Sequence, residues 1–170
     1  HRDAGLKAVT AFPSGRDPQV PIDDPKMYEL YELCCELAIP IFCCAGIPGP
    51  RVPFAPQRVE LIDQVMYDFP YLVFVTRHGC APCQALLVQL MLTWPNLYYS
   101  TSAFAPKHYP KAIIDYANSR GADKVHYAGY FPMGLSLDRI FTELRDVPFK
   151  AEVWPKFLRE NAIRVLGLDA

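Results

Sequence analysis

The chain has 170 residues, enough for one domain with a sizeable core. Its 17 Lys and Arg against 18 Asp and Glu leave a net charge of −1, with no basic stripe to hold nucleic acid and no charged run to act as an interaction tail. The hydrophobic fraction of 51% contains no apolar run long enough to span a bilayer, so the expected partner is a small molecule, neither nucleic acid nor membrane.

Five short apolar runs, residues 6–12, 39–44, 71–76, 96–100 and 124–130, recur at intervals of about thirty residues, with a helix-like segment in each gap. That is the rhythm of strand–helix units laid side by side as a parallel sheet. Residues 6–12 read as the first strand, and Pro13, Ser14 and Gly15 as the loop after it. Asp24 caps a helix with Pro25 at its first position, and Met27, Leu30, Tyr31, Cys34 and Leu37 mark its apolar face. Residues 39–44 form a continuous apolar strand, as a strand buried on both faces must. Residues 46–56 are a Gly/Pro loop. Residues 57–69 are the clearest amphipathic helix, with Val59, Ile62, Val65, Met66 and Phe69 inward.

The third strand spans 71–76. Residues 85–94 are a helix apolar nearly all round, and so expected to be deeply packed. The fourth strand is 96–100, a helix follows around 111–119, and the fifth strand is 124–130. Ser136 caps a short helix through Leu144. Pro155 opens a last helix that stops at Gly167. No linker divides the chain, so residues 1–170 are expected to form a single domain. The opening residues 1–5 lack the apolar core of a signal peptide, and six cysteines in adjacent or near-adjacent pairs suit a reduced, cytoplasmic setting.

Parallel βα folds gather their chemistry at the C-terminal ends of the strands. Cys44, His78 and Tyr130 are expected on that rim. His78 follows the third strand directly, between Arg77 and Gly79. Its imidazole is the candidate acid/base, with loop hydrogen bonding as the alternative. Cys44 reads as a ligand contact, a nucleophile or a small apolar core residue. Tyr130 reads as a hydrogen-bond donor or a pocket wall. Arg77 and Arg51 are candidates for a substrate carboxylate. Ser100, Thr101 and Ser102 offer hydroxyls as turn caps or substrate contacts.

Cys80-Ala81-Pro82-Cys83 stands between a strand and a helix. There a helix N-terminus lowers the first thiol's pKa, the setting of a redox motif; with His78 the pair also suggests part of a zinc site. No HxH, HExxH, paired-carboxylate or Gly-rich phosphate motif occurs, so nucleotide chemistry has no support.

Several segments, in order along nearly the whole chain, resemble the C-terminal part of amidohydrolase-related proteins, the metal-dependent hydrolases and decarboxylases built on a (β/α)8 barrel. They are Asp24-Pro25-Lys26-Met27-Tyr28, Ile39 to Gly46, Phe69-Pro70-Tyr71-Leu72, Arg77-His78-Gly79, Trp94-Pro95-Asn96-Leu97-Tyr98, Gly129 to Gly134 and Glu160 to Leu168. The resemblance implies an α/β fold of parallel βα repeats, a partial TIM (β/α)8 barrel resembling strands four to eight. It also implies hydrolysis or decarboxylation of a small carboxylated or cyclic substrate.

The family's first-strand HxH metal pair is not in this sequence. Its fifth-strand metal histidine falls on Cys44, its sixth-strand histidine on His78, and its eighth-strand aspartate on Tyr130. Tyrosine does not replace aspartate near neutral pH without a large pKa shift. A divalent metal such as zinc, which the family uses, is therefore not assigned, and no residue is named as a metal ligand. His78 is expected to be catalytic, with Cys44, Arg77 and Tyr130 binding substrate. Five units do not close an eight-strand barrel, so the expected partner is a second copy of the chain or a segment preceding His1. Two other readings stand beside the enzyme: a thiol–disulfide or zinc module on Cys80 and Cys83, and a noncatalytic binding or assembly subunit.

Overall fold

A computed structural model describes residues 4–168; residues 1–3, part of the stretch read for a signal peptide, and 169–170 lie outside it. Five strands, β1 (Val9–Ala11), β2 (Ile41–Cys44), β3 (Phe74–Arg77), β4 (Leu97–Ser100) and β5 (Val125–His126), form one sheet in chain order. Every neighbouring pair is parallel. Helices α1 (Pro25–Glu36), α2 (Leu61–Asp68), α3 (Gln84–Thr93) and α4 (Lys111–Ala117) supply the crossovers that parallel neighbours need. Beyond β5 come α5 (Leu137–Leu144), α6 (Val153–Pro155) and α7 (Asn161–Leu166).

The register places Ile41, Phe74 and Leu97 side by side. All three are buried in one core with Met27, Tyr31, Ile62, Met66 and Leu87 of the covering helices. Side chains alternate along each strand, so the next row, Thr10, Phe42, Val75 and Tyr98, faces the opposite side.

Local signals hold the helices where the sequence puts them. The Asp24 carboxylate accepts the Lys26 N–H at 2.9 Å at the start of α1, and Ser136 Oγ accepts the Arg139 N–H at 3.2 Å at the start of α5. Gly167 ends α7 in the left-handed region, φ 56° and ψ 48°.

Several expectations need correction. The fifth strand stops at His126 rather than 130, because the chain peels away from the sheet. The Tyr127 N–H donates to the Phe157 carbonyl at 2.8 Å, and the Ala128 N–H to Thr101 Oγ1 at 3.2 Å. Tyr130 therefore stands on the loop after β5, not at the end of a strand. The first strand is only Val9–Ala11, and the third runs to Arg77 rather than Thr76. α2 starts at Leu61, after a separate turn at Ala55–Gln57.

α3 is less deeply packed than its composition suggests. Leu87, Leu90 and Met91 are buried, but Leu86 and Leu92 are 39% and 43% exposed, since only one face of the helix meets the core. The last helix begins at Val153, ahead of Pro155, and passes through a wide π turn at Lys156–Glu160. All six cysteines are free, and no helix among the described residues is long and apolar enough to cross a membrane.

Candidate active site

A cavity of about 490 Å³ opens at the C-terminal ends of the strands. Its wall is drawn from the loops after β1 (Phe12), β2 (Ile47 to Pro50, and Gln57), β3 (His78), β4 (Ala103, Phe104) and β5 (Tyr130), with Cys44 and Arg77 as the last residues of β2 and β3. The four residues singled out from the sequence, Cys44, Arg77, His78 and Tyr130, are thus brought together around one space. Cys44 and Arg77 are direct partners in the β2–β3 register, so both present their side chains on the same face of the sheet. Arg51 is exposed and takes no part in the wall.

His78 sits in an unusual turn. It has φ 64°, Gly79 φ 85° and Cys80 φ 53°, three successive left-handed residues immediately after β3. Such a run is costly for side-chain-bearing residues and persists only where surrounding contacts hold it. Those contacts are visible. A Cβ on Gly46 would come within 2.6 Å of the Cys80 carbonyl carbon, so only glycine lets the β2 loop lie against this turn. A Cβ on Gly79 would stand 2.5 Å from the Phe104 ring, which therefore rests flush on the glycine. The Ile47 N–H donates to the Ala81 carbonyl at 2.8 Å.

Gln57 is buried and fastens the other side. Its Nε2 donates to the Gly46 carbonyl at 2.8 Å, its Oε1 accepts the Ser14 N–H at 3.4 Å, and its own carbonyl accepts the Gly46 N–H at 2.8 Å. Sequence reasoning missed Gln57 because it stood within a segment taken as helix; a buried glutamine after a Gly/Pro loop was the available signal.

The His78 ring contacts the Tyr130 ring edge-on, with centroids 5.8 Å apart at 78°. Its Nδ1 lies 3.1 Å from Ser102 Oγ, which also accepts the His78 backbone N–H at 3.2 Å. Burial, and then the Arg77 guanidinium, lower the His78 pKa to about 4, so the imidazole is neutral across the physiological range. Burial raises the Cys44 thiol above its ordinary range, with Arg77 opposing, so Cys44 presents a neutral thiol.

The Cys80–Cys83 pair lacks the electrostatics of a redox motif. Cys80 is fully buried and its thiol is pushed up to about 12, chiefly by burial, the reverse of what a reactive thiolate needs. Nor do Cys80, Cys83 and His78 assemble a zinc site. No group of three or more His, Cys, Asp or Glu side chains among the described residues could hold a metal ion.

The amidohydrolase family pattern matches residues 2–168. The chain belongs to the amidohydrolase family. Among solved structures it is similar to an uncharacterized TIM-barrel protein from Bordetella bronchiseptica, at 27% identity and TM-score 0.84, covering 98% of this chain and 59% of that one. It is similar in fold to 5-carboxyvanillate decarboxylase from Sphingomonas paucimobilis, at 14% identity and TM-score 0.72, covering 97% of this chain and 59% of that one. It is likewise similar in fold to 2,6-dihydroxybenzoate decarboxylase from Rhizobium, at 17% identity and TM-score 0.72, covering 99% and 65%. No curated protein matches. The parallel sheet with alternating helices is thus a partial TIM barrel, and the chain spans less than two thirds of the length of these relatives.

Among the described residues no group of three or more His, Cys, Asp or Glu side chains is placed for the divalent metal of the family. The Cys44 thiol is buried and its pKa raised, and with Nδ1 at Ser102 the His78 ring keeps Nε2 as its one outward nitrogen. No step below is routed through a metal.

Proposed function

We propose that this amidohydrolase-family chain acts on a small carboxylated or cyclic substrate, by hydrolysis or decarboxylation, at the cavity around His78. The supporting observation is the cavity's chemistry. It joins one guanidinium, Arg77, to walls of Phe12, Phe104, Tyr130 and prolines, with no acidic side chain among the described residues that line it. A planar anion suits such a space: Arg77 pairs with its carboxylate and the rings cover its apolar body. His78, at the same wall and neutral, is the proton-transfer group. Tyr130 packs edge-on against that imidazole and fixes its plane, and Cys44 forms part of the floor. Decarboxylases of 5-carboxyvanillate and 2,6-dihydroxybenzoate share the fold, which agrees with this substrate class. Loss of the metal centre from this chain is part of the proposal.

The test is a panel of small carboxylates assayed for turnover and binding with the parent protein, Arg77→Ala and His78→Ala. Arg77→Ala is expected to weaken binding of every carboxylate about tenfold or more, as loss of a charged hydrogen-bonding partner does. His78→Ala is expected to lower turnover by about 10²–10⁴-fold while leaving binding nearly intact. Equal turnover by parent and His78→Ala on every accepted substrate would remove His78 from the mechanism. Elemental analysis after purification with added zinc is expected to show no stoichiometric metal; one tightly held ion per chain would overturn the loss of the metal centre.

Departures at Cys44 and Tyr130 from the family's metal histidine and aspartate favour a second reading, a noncatalytic binding subunit on the same scaffold. Saturable carboxylate binding without turnover would select it.

A further inference from the structure

We infer that Ser102 sets the tautomer of His78, keeping the ring proton on Nε2 so that the imidazole meets the cavity as a hydrogen-bond donor. The inference rests on the reading of that cavity as the substrate site, and it specifies what His78 does there.

The argument is one of hydrogen-bond inventory. A serine hydroxyl has one proton to give and two lone pairs to receive with. Ser102 Oγ spends one lone pair on the His78 backbone N–H, at 3.2 Å. Ser102 is 7% exposed, so its own proton needs a partner inside the protein. His78 Nδ1, at 3.1 Å, is the acceptor within reach among the described residues. If the hydroxyl donates to Nδ1, that nitrogen carries no hydrogen, and in a neutral ring the proton must stand on Nε2.

A single oxygen one strand away reaches both the amide and the ring of His78. Ser102 follows β4, the strand next to β3, so the two loops meet as neighbours on the rim.

The chemical consequence is directional. Nδ1 faces the buried hydroxyl, which leaves Nε2–H as the ring's outward group. Nε2–H beside Arg77 is then the proton that His78, as the proton-transfer group, presents to substrate, and as a donor it stabilises negative charge building on a substrate oxygen. The opposite tautomer would offer a lone pair and act as a base. Ser102 is thus a positioning residue that works through His78.

The test is nitrogen NMR of protein labelled at its histidines, near neutral pH and without substrate, with the His78 signals assigned by His78→Gln. In the parent protein His78 is expected to show a protonated Nε2 and an unprotonated Nδ1. Ser102→Thr, which keeps the hydroxyl, is expected to preserve that pattern. Ser102→Ala is expected to shift a measurable share of the ring to the Nδ1–H form. A parent ring protonated at Nδ1, or a Ser102→Ala protein with the parent's tautomer, would overturn the inference. A Ser102→Ala protein that does not fold leaves the parent and Ser102→Thr spectra to decide it. Because no substrate takes part, this result stands apart from the Arg77 and His78 assays, and failure of either can be recognised separately.

Discussion

The ring of His126 is 3% exposed, meets Phe42 edge-on at 5.9 Å, and has no hydrogen-bond partner for Nδ1 among the described residues. Burial, with the Arg164 charge adding to it, lowers its pKa from the ordinary 6.5 to about 4. The unfolded chain then binds a proton in a pH range where the folded chain does not. Stability is complete above pH 6.5 and declines as pH falls toward about 4, by up to about 3 kcal/mol for a shift of this size. Denaturant unfolding from pH 7 to pH 4 is expected to show this loss, and His126→Leu to flatten it by close to one proton. Equal slopes for parent and variant would contradict the assignment. His78 was legible in the sequence because a histidine directly after a strand stands on the rim of a parallel sheet. Ser102 was visible only as one of three hydroxyls. Its role depends on meeting an amide and a ring nitrogen 24 residues away in sequence, which no local residue pattern announces. The burial of His126 was hidden for a related reason: its neighbours in space, Phe42 above all, are remote in sequence.

Among the elements, the helix ends were the most legible, because capping chemistry is local. Asp24, Ser136 and Gly167 stop or start their helices as their side chains and backbone freedom dictate. The short strands were less so, since their limits are set by partners. β5 ends where Phe157 captures the Tyr127 N–H, and nothing near residue 127 encodes that exchange. Two side chains at the opposite end of the sheet from the cavity anchor elements to one another. Lys124 Nζ donates to the carbonyls of Trp94 at 2.8 Å and Pro95 at 2.6 Å, with Leu97 at 3.2 Å, closing the C-terminal end of α3. Asn161 Nδ2 donates to the carbonyls of Ala122 at 2.7 Å and Val125 at 2.8 Å, tying α7 to β5. Asn161→Ala leaves two carbonyls without these donors and is expected to cost about 1–3 kcal/mol in chemical denaturation. Carboxylate binding at the cavity is expected to be unchanged in that variant. A variant as stable as the parent would show that the two bonds are replaceable by water.

At the scale of the molecule, the family and the parallel architecture were both legible, the first from ordered short segments and the second from strand spacing. What meets the outer edges of the sheet was not. Among the described residues β1 pairs only with β2, and β5 only with β4, so both ends of the sheet carry unpaired backbone. Tyr98 and Phe42, on the face opposite the main helical core, are only partly covered, and Phe131, Met133 and Phe141 are more than half exposed. Open strand edges beside apolar surface drive association. The protein is expected to form a defined oligomer of two or more copies in solution, read by light scattering coupled to size exclusion. A strict monomer at micromolar concentration would count against self-association.

The rim is stitched unevenly. The segments after β2 and β3 are locked to one another through Gly46, Gln57 and the left-handed turn, whereas the stretch from Phe131 to Gly134 is held by little and faces solvent. Divergence toward new ligands thus has an inexpensive route and an expensive one. Changes beside Tyr130 can reshape the mouth without disturbing the imidazole, while any side chain added at Gly46 must displace the turn that aims it.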